Sequence, residues 1–400
     1  MAPAVPIRPI RQPRVLVAGP IYSGSLETAR STARASTAAG ADTRLLDFGT
    51  FGAGWDTISR LSVSDAHKMK LKADYAKVLG EMVVASASEW RPDLVIGLAQ
   101  APLNASVCAR LRSAGIKVAF WFVENFRVLP YWKHVAKDYD AFFAIQDEPF
   151  LSMVRDAGSP KAVYLPTACD PERHAPVTLT EDERTRFGAD VSFAGAPYLN
   201  RQRMLLGLID LQPKIWGDGW AGTELERLAA EGGARFTLDE MVRIFAATKV
   251  NLNIHSANHV DGLDPDPDYV NPRTFELAAC GAFQIVDARQ PLPALFRDDE
   301  LVTFRSTKEL RSLITHYLAR PEERAAIAAR GRARVVAEHS FAHRVKRIFE
   351  ETLPRELQPG AAAPSHGLAE AIAALERTSP RMTPDEAMMR VLQHVQDGRL

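Results

Sequence analysis

Short apolar segments that alternate with helical patterns constrain the fold of this 400-residue chain more than any other feature of its sequence. Each segment is apolar at nearly every position, and a helical pattern separates it from the next. Strands that are apolar on both faces, with helices between them, are typical of a parallel sheet that helices cover on both sides. In the first half of the chain the segments lie at residues 14–19, 93–99, 117–123, 141–145 and 162–165.

The same alternation occurs a second time. Residues 171–188 are charged and rich in proline and threonine, and they interrupt the pattern. It then restarts, with apolar segments at 190–195, 214–217, 250–254, 283–287 and 301–304. We predict two doubly wound α/β domains, at 14–170 and 171–345. A flexible tail at 1–13 would precede them, and a crossing helix, linker and helical tail at 346–400 would follow.

The composition excludes several classes of partner. Lys and Arg number 49, as do Asp and Glu, so no overall charge favours nucleic acid or acidic lipid. No apolar run approaches the ~18 residues of a membrane span, and the N-terminus lacks the apolar core of a signal peptide. The three cysteines are far apart and fit neither a disulfide framework nor a metal site. We expect a cytoplasmic protein without a nucleic-acid partner or a membrane span.

A strand, an acidic loop and a capped helix follow one another in the second half of the chain. Asn271 can accept a hydrogen bond from the first free N–H groups of the helix, and Gly281 can form the left-handed turn that ends it. Arg273 and Glu276 are three residues apart, so they share one face beside the electropositive helix N-terminus. An anion site next to a cation and a hydroxyl acceptor is what a nucleoside diphosphate requires.

Polar residues also follow the apolar segments of the first half. Glu124 comes directly after segment 117–123, where catalytic groups lie in this architecture. It is a candidate general base or acceptor for a sugar hydroxyl, and Arg127 is a candidate clamp for phosphate or carboxylate. A helix cap and a surface ion pair are the alternative. Gln100, after segment 93–99, is open to the same two interpretations.

Glycine turns and strand-end residues supply further candidates. Gly24 closes a turn that resembles a phosphate-binding loop without its lysine, so it is either a tight turn or a place where backbone N–H groups approach a phosphate or sugar. Gly195 and Arg201 lie at a strand-to-helix turn that suits a pyrophosphate, although Arg201 could simply be surface charge. His255 and Ser256 end another strand and are candidate ligand contacts.

The acidic loop contains Asp264, Asp266 and Asp268, which form two overlapping Asp-x-Asp pairs. Such pairs bind Mg²⁺ or Mn²⁺ when they directly follow a strand and their carboxylates converge. Here about ten polar residues separate them from the strand, and prolines keep the backbone extended. We predict no metal at this loop.

At these motifs the chain resembles the CgeB-like (spore-maturation-type) glycosyltransferases, relatives of retaining glycosyltransferase family 4. The likeness runs from about residue 14 to 345, and motifs of both halves recur in the same order. The matching stretches are 19–26, 98–103, 119–127, 131–132, 191–195, 200–201, 214–217, 251–256 and 271–276, the last reading Asn271-Pro-Arg-Thr-Phe-Glu276.

This resemblance implies a GT-B fold, in which two Rossmann-like domains face one another across a cleft, and transfer of a sugar from a nucleotide-sugar donor to a protein or polysaccharide acceptor. It also implies a retaining, metal-independent reaction without a cofactor. Asp268 and Glu276 enclose seven residues, the spacing of the family's acidic pair. By the family pattern Glu276 would hold the ribose hydroxyls and Asp268 the transferred sugar. Many relatives have Glu where Asp268 stands, and a family histidine is replaced here by Glu124 and Asn125.

We therefore predict the following site, given by role. The catalytic residues are Glu124, Asp268 and His255; the donor-binding residues are Gly24, Gly195, Asn200, Arg201, Ser256, Asn271, Arg273, Thr274 and Glu276; the acceptor-side residues are Tyr22, Ser25, Gln100, Asn125 and Arg127. Two alternatives remain open, a GT-B-fold sugar-nucleotide epimerase and a non-catalytic protein that binds a nucleotide sugar or glycan. The helical tail beyond residue 357 could dock a partner.

Overall fold

The computed structural model describes residues 12–22, 24–257 and 262–358. The first residues of the predicted N-terminal tail and the helices predicted beyond residue 365 lie outside the described residues. Within the described residues, no helix is both long and apolar enough to cross a membrane.

The first sheet has six parallel strands in the order β2-β1-β3-β4-β5-β6. Every residue of the central strand β3 is buried, because helices cover both faces of the sheet. The strands are β1 Arg14–Ala18, β2 Asp42–Leu46, β3 Leu94–Leu98, β4 Lys117–Phe122, β5 Ala141–Ala144 and β6 Ala162–Tyr164.

Helices form two layers around this sheet. One layer contains α3 and α4, whose buried Val83 and Val107 pack with Phe120 of β4. The other contains α1, whose Ala29 packs in one cluster with Val345 near the end of the chain. The helices are α1 Leu26–Ala38, α2 Gly52–Arg60, α3 Asp65–Trp90, α4 Ala105–Ser113, α5 Trp132–Val135 and α6 Phe150–Asp156.

The second sheet has five parallel strands in the order β11-β10-β9-β7-β8. Its strands are β7 Ala189–Ala194, β8 Lys214–Trp216, β9 Thr248–Asn253, β10 Gln284–Asp287 and β11 Val302–Phe304. The helices around it and after it are α7 Glu181–Phe187, α8 Leu199–Leu206, α9 Leu238–Ala247, α10 Pro272–Ala279, α11 Leu292–Leu295, α12 Thr307–Leu318, α13 Pro321–Glu338 and α14 Phe341–Thr352. Short 3-10 helices lie at Phe48–Phe51, Ala136–Asp138, Ile209–Leu211, Glu226–Leu228, Ala230–Gly233 and Arg355–Leu357.

Each sheet has one switch point, at which the strands that follow in the chain change from one side of the first strand to the other. In the first sheet the point lies between β1 and β3, and in the second between β7 and β9. Ligands of doubly wound sheets bind outside the carboxyl ends of the strands at such points. The two switch points therefore indicate where a ligand site should be sought.

The chain crosses between the two sheets at two adjacent segments. Cys169 donates its backbone N–H to the carbonyl of His339 at 3.0 Å and accepts from the N–H of Phe341 at 2.9 Å. Helix α14 then returns to the first sheet and packs beside α1. The predicted domain boundary at residue 345 falls inside this helix.

Candidate active site

Two cavities lie along the carboxyl ends of the strands, between the two sheets. We call them the narrow cavity, of about 420 Å³, and the wide cavity, of about 750 Å³. Four residues line both: Gly24 from the first domain, and Gly195, Arg273 and Glu276 from the second. The sequence predicted all four as donor-binding residues, and the structure brings them together.

The N-terminus of α10 forms the junction of the two cavities. Asn271 accepts a hydrogen bond from the backbone N–H of Thr274 at 3.1 Å, so it caps the helix as its sequence position predicts. Arg273 donates to Glu276 at 2.8 Å, and its guanidinium lies over the ring of Phe245. A cation and a carboxylate thus stand side by side at the electropositive end of a helix.

Arg201 brings a second cation to the narrow cavity. Its guanidinium donates to the carbonyls of Ile254 at 2.9 Å and Ala196 at 3.1 Å, and no carboxylate among the described residues pairs with it. Burial lowers the pKa of Arg201 to about 10, so it stays positively charged at neutral pH. A Cβ atom at Gly195 would lie 3.3 Å from its Nη1, so a glycine gives the guanidinium room. This desolvated cation is well suited to a phosphate.

Two residues predicted to bind the donor serve the scaffold instead. Thr274 is 0% exposed, and its hydroxyl accepts from Asn253 at 2.8 Å. Asn200 is also buried; it donates to the carbonyl of His255 at 2.8 Å and accepts from the N–H of Ala257 at 2.9 Å. Their side chains fix the loop after β9, while Ser256 of that loop lines the narrow cavity.

His255 does not fit the catalytic role predicted for it. Its ring is 0% exposed, and Nδ1 shares a hydrogen bond with Asp287 at 2.7 Å while Nε2 accepts from the backbone N–H of Asn271 at 2.8 Å. Burial lowers the pKa of His255, so the neutral ring with its proton on Nδ1 is favoured. The histidine positions the cap of α10 through its bond to Asn271. A residue that follows a strand can point either into the cleft or into the scaffold, and His255 points into the scaffold.

A buried ionic cluster holds the acidic loop. Arg289 donates to Asp264 at 3.2 Å, to Asp287 at 3.3 Å and to the carbonyl of Tyr269 at 3.0 Å. Asp264 is therefore paired with a buried cation instead of with a metal-binding partner. Among the residues that the structure describes, no three His, Cys, Asp or Glu side chains are grouped to hold a metal ion. Sequence reasoning missed Arg289, although polar residues directly after β10 were a signal.

Asp268 contacts the first domain across the cleft. Arg127 donates to its Oδ2 at 2.7 Å and Gln146 to its Oδ1 at 2.8 Å. Asp268 is absent from the described residues that line the narrow cavity, whereas its neighbour Tyr269 is present. The structure differs from two predictions here: Arg127 pairs with the second domain instead of facing an acceptor, and both carboxylate oxygens of Asp268 are bonded to the first domain. Sequence reasoning also missed Gln146, the polar residue directly after the apolar segment at 141–145.

Glu124 lines the narrow cavity from the first domain, together with Asn125. Gln100 donates to its carboxylate at 3.3 Å, and burial raises the pKa of Glu124 to about 7. The backbone of Gln100 has a φ of +68°, and its Oε1 is buried without a hydrogen-bond partner among the described residues. Strain and unsatisfied polar atoms of this kind concentrate at functional sites.

The other predicted acceptor-side residues surround Glu124 without lining either cavity. Tyr22 is 41% exposed and stacks on Trp55 with ring centroids 4.9 Å apart. Burial and the charge of Glu124 raise the pKa of Tyr22. Ser25 is buried at the start of α1, and its hydroxyl donates to the carbonyl of Ala99 at 3.4 Å.

His174 lines the wide cavity, and no sequence motif pointed to it. It is buried in the crossing segment, where its Nδ1 accepts from the backbone N–H of Asp170 at 3.0 Å. Burial lowers the pKa of His174, so the ring is neutral and carries its proton on Nε2. Among the described residues no group accepts from that Nε2. The wide cavity thus has a hydrogen-bond donor beside the acceptor Glu276.

Known proteins are similar to this chain in sequence and in fold. Residues 201–350 match the family model described as "Glycosyl transferase-like". The spore protein CgeB of Bacillus subtilis (strain 168) is 23% identical over 242 residues, which cover 58% of this chain and 74% of that protein.

Solved GT-B structures superimpose on the chain. A glycosyltransferase from Rickettsia africae aligns with a TM-score of 0.57 at 13% identity, over 85% of this chain and 97% of that one. Anabaena HepE in complex with UDP-glucose aligns with a TM-score of 0.56 at 12% identity, over 85% of this chain and 99% of that one. These structures establish the fold, and the sequence matches confirm the resemblance seen in the motifs. The chain therefore has the GT-B fold, contains a glycosyl transferase-like region at residues 201–350, and is similar in sequence to CgeB.

Proposed function

We propose that the protein transfers a sugar from a nucleotide-sugar donor to a hydroxyl group of a protein or polysaccharide, with retention of anomeric configuration and without a metal ion or cofactor. The observation that carries this proposal is the pair of cations at the cavity junction. Arg273 lines both cavities and Arg201 lines the narrow one. Together with the N-terminus of α10 they supply the positive charge that a metal ion provides elsewhere.

The shapes of the cavities suggest how the donor lies. The nucleoside would occupy the wide cavity and the sugar the narrow one, with the diphosphate at the residues that the two share. Both volumes, about 750 Å³ and about 420 Å³, fall within the range typical of small-molecule sites. Glu276 would accept hydrogen bonds from the ribose hydroxyls, and His174 would donate to one of their oxygens. A vicinal diol both donates and accepts, so this pair complements it.

The chemistry follows from the charges. The bond between the anomeric carbon and the phosphate oxygen breaks, and its electron pair leaves with the diphosphate beside Arg201 and Arg273. The acceptor hydroxyl oxygen forms the new bond to the anomeric carbon on the same face from which the diphosphate departs, which retains the configuration, and its proton passes to the carboxylate of Glu124. A carboxyl with a pKa of about 7 is well matched to that transfer near neutral pH.

The same geometry favours transfer over the two alternatives. Epimerisation requires acid and base groups on both sides of the sugar ring, and of Glu124, His255 and Asp268 only Glu124 lines the cavity. A non-catalytic binding protein has no need of a carboxyl whose pKa is raised by burial at a ligand site. Retention of configuration is supported by the family resemblance.

A direct experiment measures turnover in the presence of EDTA. The protein is incubated with UDP-, GDP-, ADP- and dTDP-sugars and candidate glycan or peptide acceptors, and products are analysed by mass spectrometry and by anomeric proton NMR. We expect one donor to yield a transferred sugar of unchanged anomeric configuration at undiminished rate. An inverted product would refute retention, loss of activity that Mn²⁺ restores would refute metal independence, and an altered sugar still attached to the nucleotide would indicate an epimerase.

A further inference from the structure

One side-chain contact joins the two walls of the cleft. The carboxylate of Asp268, in the second domain, accepts hydrogen bonds on both of its oxygens from the first domain. Arg127 binds Oδ2 at 2.7 Å, and Gln146 binds Oδ1 at 2.8 Å. Arg127 also lies 3.5 Å from Asp266 of the same acidic loop. We call the contact between Arg127, Gln146 and Asp268 the interdomain bridge.

The first-domain half of the bridge is held rigidly. Gln146 is 0% exposed, and its Oε1 accepts from the backbone N–H of Phe126 at 3.0 Å, which leaves Nε2 directed at Asp268. The guanidinium of Arg127 lies over the ring of Phe126 at 4.4 Å, and that ring stacks on Phe150 with centroids 4.3 Å apart. Both donors are therefore fixed before the second domain meets them.

The second-domain half is held as well. On one side of Asp268, the carbonyl of Pro267 accepts from the backbone N–H of Gln290 at 2.7 Å. On the other side, the carbonyl of Tyr269 accepts from Arg289 at 3.0 Å. The backbone on both sides of Asp268 is therefore held by the residues that follow β10.

Residues next to the bridge in the chain line the narrow cavity on both sides. Asn125, two residues before Arg127, lines the cavity from the first domain, and Tyr269, the residue after Asp268, lines it from the second. The side chain of Asp268 is only 17% exposed. The bridge therefore links the two walls, while both oxygens of its carboxylate are occupied by donors of the first domain.

We propose that Asp268 is a positioning residue that pins the closed cleft to Arg127 and Gln146, and that it is not a direct ligand of the transferred sugar. This inference rests on the proposed function, in which the sugar occupies the narrow cavity. The bridge completes that cavity only when the domains are closed, so sugar binding and exclusion of water depend on it. Removing either charge leaves the other one partly desolvated and unpaired, which opens the cleft.

The first test needs no ligand. Small-angle X-ray scattering compares the unliganded protein with Arg127→Ala, Asp268→Ala and the double variant. We expect all three to show an increased radius of gyration, because each removes the salt bridge between Arg127 and Asp268. Arg155→Ala is the matched control, since Arg155 pairs with Glu148 on the surface of the same domain. A radius of gyration that is unchanged in the three bridge variants would overturn the proposal.

The second test separates a pin from a sugar ligand by titration with UDP and with UDP-glucose. If Asp268 only holds the cleft closed, Arg127→Ala and Asp268→Ala should each weaken UDP-glucose binding by about tenfold. The double variant should then lose no more affinity than either single variant. If Asp268 touches the sugar, its variant loses UDP-glucose affinity far more than Arg127→Ala does, and the losses multiply. That result would overturn the proposal.

Conservative variants guard against simple misfolding. Arg127→Lys keeps the charge and should restore most of the closure and the affinity that Arg127→Ala loses, and failure of that rescue counts against the pin. If the parent protein binds neither UDP nor UDP-glucose, that donor is wrong for the proposed function. The scattering measurement still decides the role of the bridge in that case, so the two failures are distinguishable.

Discussion

The polar residues at the carboxyl edges of the two sheets behave differently. On the second sheet they are interlocked: His255 binds Asp287, and Arg289 binds Asp287 and Asp264. On the first sheet Glu124 has one side-chain hydrogen-bond partner among the described residues, Gln100, at 3.3 Å. The pKa of Glu124 is raised by burial, whereas Arg289 compensates the buried carboxylates of Asp264 and Asp287 in the second domain.

This difference assigns different duties to the two domains. A site that binds a diphosphate gains from groups that are fixed before the ligand arrives, because no reorganisation is then required. A group that exchanges a proton needs the opposite, a neutral and a charged form of similar free energy. Under the proposed function, the second domain is preorganised for the donor, and the first domain holds the carboxyl that exchanges a proton with the acceptor. Substitutions on the two edges should divide in the same way.

The largest effect is expected on the stability of the second domain. Arg289→Met removes the cation between two buried carboxylates, so the free energy of unfolding should fall by about 3–5 kcal/mol, as for other broken buried pairs. Urea denaturation measures it. Arg297→Ala is the control, because that exposed arginine lies 4.0 Å from Glu300 and should change stability by less than about 1 kcal/mol. Equal stability of the two variants would show that the second edge is not interlocked.

On the first edge the effect should fall on turnover. Glu124→Gln keeps the size and hydrogen-bonding capacity of the side chain but cannot accept the proton. We expect kcat to fall by ~10²-fold or more, while nucleotide-sugar affinity stays within a few-fold. Measuring kcat with saturating donor, after titrating that donor into the variant, is sufficient. Unchanged turnover would make Glu124 a structural strand-end residue.

The pH dependence of kcat tests the role of Glu124 in a second way. Because burial raises the pKa of Glu124 to about 7, the base form is lost as the pH falls through that value. The kcat of the parent protein should therefore rise from pH 5.5 to a plateau above roughly pH 8. The small residual activity of Glu124→Gln should lack this limb. A parent profile that is flat across this range would exclude Glu124 as the base.

A smaller effect is expected when Glu276, the proposed hydrogen-bond acceptor for the ribose hydroxyls, is removed. Glu276→Ala deletes a charged hydrogen-bond acceptor and should weaken nucleoside diphosphate binding by roughly 10- to 150-fold, which corresponds to ~1.5–3 kcal/mol. Arg273→Ala is the companion variant. It should weaken the diphosphate much more than the bare nucleoside, and isothermal titration with both ligands tests this. Equal losses for the two ligands would argue against a phosphate role for Arg273.

The sequence predicted the fold well because the buried strands carry their own signal. Strand β3 is buried at every position, and the apolar run that forms it is visible without any structure. The edge strand β2 Asp42–Leu46 was missed, because it has an exposed aspartate and no residue in its interior is fully buried. An edge strand that pairs on one side lacks the apolar run that marks a central one.

The sequence indicated which residues lie near the cavities, but only partly the directions in which their side chains point. Gly195, Arg273 and Glu276 line the cavities as their motifs suggested. Thr274 and His255, which neighbour such residues, turn into the scaffold. Strand ends and helix caps locate a cleft, but the direction of each side chain depends on partners that are distant in sequence.

The residues missed by sequence reasoning share that dependence. Gln146 meets Asp268 across 122 positions of the chain, and Arg289 meets Asp264 across 25. Neither pairing has a local motif. His174 lies in a segment that reads as a charged linker, and only the crossing of the chain at Cys169 brings it to the wide cavity.

The smallest effect is expected at His174, which tests whether the preorganised side extends into the crossing segment. Its Nδ1 accepts from the N–H of Asp170 at 3.0 Å, so the neutral ring can only donate through Nε2. One neutral hydrogen bond to the ribose contributes about 0.5–1.5 kcal/mol, and His174→Phe should therefore weaken nucleotide binding by roughly 2- to 12-fold. His174→Asn, which keeps one donor and one acceptor, should lose less.

The pH dependence of that binding separates a neutral donor from a cation. Burial lowers the pKa of His174, so the ring is neutral at and above its ordinary pKa, and nucleotide affinity should be flat there. On acidification the second proton must go to Nδ1, which breaks the bond from the N–H of Asp170. Affinity measured by titration at decreasing pH should then decline, and the decline should be absent in His174→Phe. If affinity instead rose on acidification in the parent alone, His174 would bind the diphosphate as an imidazolium, and the preorganised donor site would end at Glu276.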